Sequence, residues 1–379
     1  MNKKRVVALI AASIMTVSLF AGCGSSKPTP NTNSSTKTEK KLKVGLSTDE
    51  GGLNDKSFNQ SADTGIKKAV KDFGVDYKPI ESKQKEDYEA NLDALVAYGD
   101  DLTFGVGFQM ETAMENKAKQ YPDKNFALID SVAYEDPKAS NPVLLKNVES
   151  ILFKEHEGSF LVGVIAGKMT KTNKIGFIGG KDSALINRFE AGFASGVKAV
   201  NPEAAKGLIS SDGKALGTMV KYADTFADSN KGYELAKSLY GSGCDIIFHA
   251  AGGVGIGMFK ATKELKDSGK QVWAIGVDMD QAVSVPEYAD VILTSMVKRV
   301  DVATYQAVKD VKEGKFQGGK LVELGLKEDG VGIAPSSDKN VPKDILDLVN
   351  KYSDAIKGGT IKVPATRADV LNFTAPEVK

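Results

Sequence analysis

Short runs of β-branched and apolar residues recur along the chain, separated by longer stretches with helical spacing, and this alternation limits the fold more than any other feature. The runs are Lys43 to Ser47, Leu102 to Val106, Phe126 to Asp130, Lys174 to Ile178, Asp245 to Ala250, Val272 to Val277 and Val291 to Met296. The stretch Lys231 to Tyr240 illustrates the spacers: Leu235, Ala236 and Leu239 share one helical face, and Asp228 stands where an N-cap belongs. Strand alternating with helix predicts an α/β fold of doubly wound, mostly parallel sheets whose crossover helices cover both faces. Ligands of such sheets bind beyond the C-terminal ends of the strands, so the site is expected in the loops that follow them. Unusual residues gather in those loops: Asp49-Glu50-Gly51-Gly52, Gly107-Phe108, Asp130-Ser131, Gly252-Gly253 and Asp278-Met279-Asp280. Two lobes with a ligand cleft between these edges follow.

The N-terminus sets the compartment. Lys3, Lys4 and Arg5 precede an apolar run from Val6 to Phe20, which is too short for a comfortable membrane span. The run ends in Phe20-Ala21-Gly22-Cys23, which resembles a lipobox, the motif in which the cysteine thiol is acylated before cleavage. Phe20 fills the slot where Leu is usual, and Leu19 sits one place early. Residues 1–22 thus read as a lipoprotein signal peptide, with an ordinary cleaved leader as the alternative. Cys23 would be the lipidated mature N-terminus at the extracytoplasmic face of the cell membrane. Residues 23–40, rich in Ser, Thr, Asn, Pro and Lys, cannot bury enough surface to offset their ordering entropy and read as a flexible tether. With Cys23 acylated, Cys244 is the only other cysteine and no internal disulfide can form.

Roughly 340 residues remain, enough for two domains. The expected division is an N-terminal lobe at 41–150 with part of 280–325, and a C-terminal lobe at 151–279 with part of 325–379. The crossing is expected near Asn147 to Phe153. A net charge of +1 with 26% charged residues offers no basic field for nucleic acid. A monomer is expected.

Enzyme motifs fail on spacing. Gly253-Val254-Gly255-Ile256-Gly257 brings the third glycine of a dinucleotide fingerprint one residue early, and reads better as a loop that lets backbone amides approach a ligand. Gly179-Gly180-Lys181-Asp182 lacks the first glycine of a P-loop, because Ile175 holds that place, and the closing Ser or Thr. His156 and His249 are the only histidines and form no zinc pair, so neither metal nor cofactor is expected. His249, inside an apolar run, reads as a hydrogen-bonded core residue. Loop carboxylates leave a hydrolase as the enzyme alternative.

Several residues are suited to hold a solute. Phe58 stands among polar residues in Asp55-Lys56-Ser57-Phe58-Asn59-Gln60, where it either stacks on a flat ligand or staples the following helix. Phe226, between the run Met219 to Ala223 and the cap Asp228, is placed similarly. Asp278 and Lys298 follow strand-like runs and suit a polyhydroxylated ligand, unless they are a surface pair worth less than about 1 kcal/mol. Asp130 either accepts from amino and imino groups of a heterocycle or caps a helix.

Taken together, the motifs resemble the basic membrane protein family of ABC-transporter substrate-binding lipoproteins, the purine nucleoside receptor A-like proteins. They are Val44-Gly45-Leu46, Asp55-Lys56-Ser57-Phe58-Asn59, Glu157-Gly158-Ser159-Phe160-Leu161-Val162-Gly163, Lys174-Ile175-Gly176-Phe177-Ile178-Gly179-Gly180, Asp245-Ile246-Ile247-Phe248-His249-Ala250-Ala251-Gly252 and Ile275-Gly276-Val277-Asp278-Met279-Asp280-Gln281, within about Leu42 to Ala334. The resemblance implies a two-lobed type I periplasmic-binding fold, capture of a purine nucleoside (guanosine, adenosine or inosine), and permease and ATPase partners. It implies that Phe58 and Phe226 stack on the base, that Asn59 and Asp130 bond its edge, and that Asp278 and Lys298 hold the ribose hydroxyls. Asp49 and Gly252 would line the cleft. A ligand sensor or regulator, or a nucleoside hydrolase using the same cleft, is the competing function.

The leader generates one prediction. Acyl chains supply membrane affinity at about 0.8 kcal/mol per buried methylene. Cys23→Ala should therefore move the intact protein from the membrane to the soluble fraction on cell fractionation; retention equal to wild type would refute the lipobox reading.

Overall fold

The computed structural model describes residues 41–378, so the leader, Cys23 and the whole tether lie outside the described residues. Among the described residues twelve strands form two sheets. In chain order they are β1 (Lys43–Ser47), β2 (Asp76–Ile80), β3 (Leu102–Val106), β4 (Asn125–Ile129), β5 (Val148–Phe153), β6 (Ile175–Gly179), β7 (Val220–Tyr222), β8 (Ile246–Ala250), β9 (Trp273–Asp278), β10 (Ile292–Lys298), β11 (Leu321–Leu324) and β12 (Val331–Ile333). The first sheet has the order β11-β5-β4-β3-β1-β2 and the second β12-β10-β9-β8-β6-β7. Every pairing is parallel except β10 with β12.

The two sheets repeat one winding. In each, the first strand lies between the second and third, so the order reverses between β1 and β3 and again between β6 and β8. Such switch points open a crevice at the strands' C-terminal edges. The central strands are buried throughout, including Leu102–Val106 and Ile246–Ala250, as expected of strands covered on both faces by helices. The helix Ser229–Gly241 is capped by Asp228, whose carboxylate accepts the N–H groups of Asn230 and Lys231.

The chain crosses between sheets three times. It leaves the first after β5, returns through the helix Val300–Lys312 to β11, and crosses back to β12. Residues 148–153, where the crossing was expected, are thus the last strand of the first sheet before the chain leaves it. The helix Val300–Lys312 packs on the helix Phe58–Phe73, with Thr304 Oγ1 donating to the Ala62 carbonyl at 3.0 Å. Gly65 permits that approach, because a Cβ there would fall 2.0 Å from the Asp301 carbonyl oxygen. Among the described residues no helix is long and apolar enough to cross a membrane.

Candidate functional site

Loops after β1, β3, β4, β7, β8 and β9, the end of β10 and the start of the helix Ala184–Val200 line one cavity, whose empty space of about 490 Å³ is partly open to solvent. All eight cleft residues singled out from the sequence line it: Asp49, Phe58, Asn59, Asp130, Phe226, Gly252, Asp278 and Lys298. The surrounding structure decides between several alternatives left open above. Phe58 is the first residue of its helix, whereas a staple sits ahead of the cap. No helix begins at Asp130. Asp278 and Lys298 are buried, which excludes a surface pair.

The entry to the helix Phe58–Phe73 organises the first wall. Ser57 gives no side-chain cap; instead Asp55 accepts the backbone N–H groups of Ser57 at 2.9 Å, Asn59 at 2.8 Å and Gln60 at 3.1 Å. Ser57 is thereby left to donate its hydroxyl to the Asp278 carboxylate, across from the first lobe to the second. Asn59 Nδ2 donates to Asp49 Oδ1 at 2.8 Å and Asp55 Oδ2 at 3.1 Å. Both amide protons are then committed inside the wall, and Asn59 Oδ1 is a buried acceptor with no partner among the described residues.

Asp130 and Asp278 hold similar places at the C-terminal end of the fourth strand of each sheet in chain order, Asp130 just after β4 and Asp278 as the last residue of β9, and both adopt left-handed backbone, with φ of 68° and 64°. Asp tolerates that region better than most residues, but it remains a costly conformation of the kind that clusters at ligand sites. Lys298 ends β10 and is buried. Its ammonium pairs with Asp130, and lies 3.5 Å from Glu155 Oε1 and 4.8 Å from the Phe58 ring centroid. Its bonded partners are therefore Asp130 and, at longer range, Glu155, whereas Asp278 is bonded by Ser57. Burial pulls the Lys298 ammonium down, but the Asp130, Glu155 and Asp278 charges outweigh it and hold the group above its ordinary value.

The carboxyls respond the opposite way. Burial pushes Asp278 up to about 6 against the pull of Lys298 and Ser57, and Asp49 to about 6 against the bonds from Asn59 and Gly51. Asp55 and Glu155 rise to about 7 for the same first reason. Burial also raises Asp130, with Lys298 opposing, and its Oδ1 is left without a partner among the described residues. The cavity wall thus carries four carboxyl groups against one ammonium. It offers acceptors to a ligand rich in N–H and O–H donors, and no spare cation for an anionic one.

Sequence reasoning missed Phe189 in the lining and Glu155 behind it, and placed Phe108 in a site loop and Asp55 in a motif without giving either a role. Phe108 and Phe226 meet edge to face with centroids 6.2 Å apart. The Phe226 ring lies over Gly180, where a Cβ would come within 2.1 Å of it. His249 is outside the cavity lining: it is buried, bonded through Nε2 to Gln281 Oε1 at 2.9 Å, and held to about 4 by burial. No cluster of His, Cys, Asp or Glu able to hold a metal occurs among the described residues.

Residues 42–367 match the model of one protein family, described as Bmp: ABC transporter substrate-binding protein PnrA-like. The chain belongs to this Bmp family. A CD4+ T-cell-stimulating antigen of Listeria innocua is 42% identical, covering 96% of this chain and 99% of its own. An ABC transporter nucleoside-binding protein BmpA of Lactococcus lactis is 37% identical over the same shares of both chains. Among solved structures, an ABC transporter solute-binding protein of Aeropyrum pernix superposes with a TM-score of 0.72 at 31% identity, covering 85% of this chain and 94% of that one. The fold is accordingly the two-lobed periplasmic-binding fold. As a Bmp-family protein, the chain is the substrate-binding component of an ABC transporter, and it takes a small molecule for its transporter partners.

The raised carboxyls make stability depend on pH. Folded values of about 6 to 7 exceed the roughly 4 of an unfolded chain. The folded state then binds more protons between about pH 4 and 7, and these groups contribute stability that is complete below pH 4 and lost as pH rises. Urea unfolding of ligand-free wild type should lose stability more steeply over that window than Asp49→Asn/Asp278→Asn. Parallel profiles would contradict the burial of these carboxyls.

Proposed function

We propose that the protein captures a purine nucleoside, held at the extracytoplasmic face by a lipid on Cys23, for import by its permease and ATPase partners. The observation that carries the reading is the pair of buried, unpartnered acceptors, Asn59 Oδ1 and Asp130 Oδ1, in a cavity that also presents Phe58 and Phe226. Amino and imino groups on the edge of a heterocycle match the acceptors, and its flat face matches the phenyl rings. The acid surplus favours an uncharged ligand with hydroxyl donors, and Asp278 takes the role of acceptor for adjacent ribose hydroxyls. The Lactococcus relative named as nucleoside-binding agrees with this reading.

Binding should follow from those contacts. Hydrogen bonds to a charged group contribute about 1.5 to 3 kcal/mol each, and a site built around a hydroxyl rejects analogues lacking it by up to about 10⁴-fold. Calorimetry should show guanosine, adenosine or inosine binding far more tightly than its free base or 2′,3′-dideoxy analogue, with Asp278→Ala removing most of that difference. Phe58→Ala and Phe226→Ala should each weaken binding by roughly 1 to 3 kcal/mol, the range for base stacking. Equal affinity for nucleoside and free base would exclude the ribose role. Release of free base from radiolabelled nucleoside would instead indicate a hydrolase.

A further inference from the structure

Glu50 lies between two cavity-lining residues, Asp49 and Gly51, yet its bonds go to the other lobe. Oε1 accepts the backbone N–H of Phe226 at 3.2 Å and lies 3.0 Å from the Lys181 ammonium; Oε2 accepts from Lys181 at 3.1 Å. Lys181 also donates to Gln109 Oε1 at 2.6 Å, so the ammonium is gripped by the loops after both β1 and β3. The segment being held is a single unit. Ala223 N–H donates to the Gly179 carbonyl at 2.9 Å and Asp224 N–H to the Gly180 carbonyl at 2.8 Å, which ties the loop carrying Lys181 to the loop carrying Phe226.

We propose that Glu50 is a positioning residue for ligand capture, a latch that pins the Lys181 loop and the Phe226 backbone across the mouth of the closed cleft. This rests on the nucleoside reading for its ligand but on the geometry for its action. Every bond of the latch joins one lobe to the other, so opening breaks all of them together and returns both charges to water. Glu50 and Lys181 are only partly exposed, at 19% and 32%, so closure leaves them less screened than a free surface pair. The latch forms whenever the lobes close, with or without a ligand inside, whereas a ligand enters through the open cleft, so the latch governs escape more than entry. It also sets the depth of Phe226, whose N–H is bonded by Glu50 while its ring lies against Gly180.

The test uses the whole lipoprotein domain with guanosine, adenosine and inosine as separate radiolabelled probes. Glu50→Gln and Lys181→Met should each raise the release rate about 10- to 100-fold, the fold-change that corresponds to one charge-assisted hydrogen bond. Association should change less than about threefold, and the thermal midpoint of the ligand-free protein should not move. The exchanged pair Glu50→Lys/Lys181→Glu should release more slowly than either single variant. A purely structural role would instead lower the midpoint and leave the exchanged pair no better than the singles. If no nucleoside binds wild type, the nucleoside reading fails, and the latch is read by small-angle scattering of ligand-free protein, where the single variants should be more expanded. Unchanged release rates, or unchanged scattering in that case, would overturn the latch.

Discussion

The site depends on one buried cation. Lys298 carries its charge into a region where burial alone would strip it, and keeps it because Asp130, Glu155 and Asp278 surround it. Each partner reaches it from a different direction: Asp130 follows β4, Glu155 opens the helix after the first crossing, and Asp278 ends β9. Lys298 itself is the last residue of β10, immediately before the chain crosses back. The ion cluster thus ties two crossing segments to the facing edges of both sheets. Removing one member of such a cluster typically costs about 3 to 5 kcal/mol, because the remaining charge stays buried without compensation. The same cluster is tuned for a ligand, since Lys298 satisfies one oxygen of Asp130 and leaves the other unpartnered.

Around that cluster the wall is built so that polar atoms are spoken for by protein except where a ligand would meet them. Asp55 takes the helix N–H groups, which frees Ser57 for Asp278; Asp49 and Asp55 between them take the Asn59 side-chain amide protons, which turns Asn59 into an acceptor. The chemistry offered is therefore set by who bonds whom inside the wall. Buried polar networks of this kind are selective because an incompletely matching ligand leaves a desolvated acceptor exposed to nothing. Glycines at 65 and 180 serve the same end by close approach, one joining two helices across the return crossing and one seating Phe226.

Much of this was legible in the sequence. Seven strands were visible because parallel central strands are apolar along their whole length, and Asp130 and Asp278 stood out because each ends such a run in a charge. Five strands escaped notice: β2 contains Pro79 and is half exposed, β11 alternates exposed with half-buried residues, as edge strands do, β7 and β12 have only three residues each, and the buried β5 is broken in sequence by Glu149 and Ser150. Phe189 was invisible as a lining residue because Ile186 and Phe193 make its helix face read as core. Glu155 stands in the first turn of its helix, where an acid is favourable to the helix dipole and nothing in the sequence marks it as a site residue. Only the tertiary arrangement reveals that it meets Lys298. The partner of Lys298 was equally beyond reach, since β4 and β10 belong to different sheets and their ends meet only once both lobes have formed.

The central claim is that a cavity with four carboxyl groups, one committed ammonium and phenyl walls selects an uncharged, flat, donor-rich solute. The most direct measurement is to denature protein purified from its native cells and identify the released small molecule by mass spectrometry. The account predicts a purine nucleoside in an amount approaching one per protein. Recovery of a nucleotide, a sugar phosphate or a carboxylic acid would contradict it, because each brings an anion to a wall whose only cation is already paired.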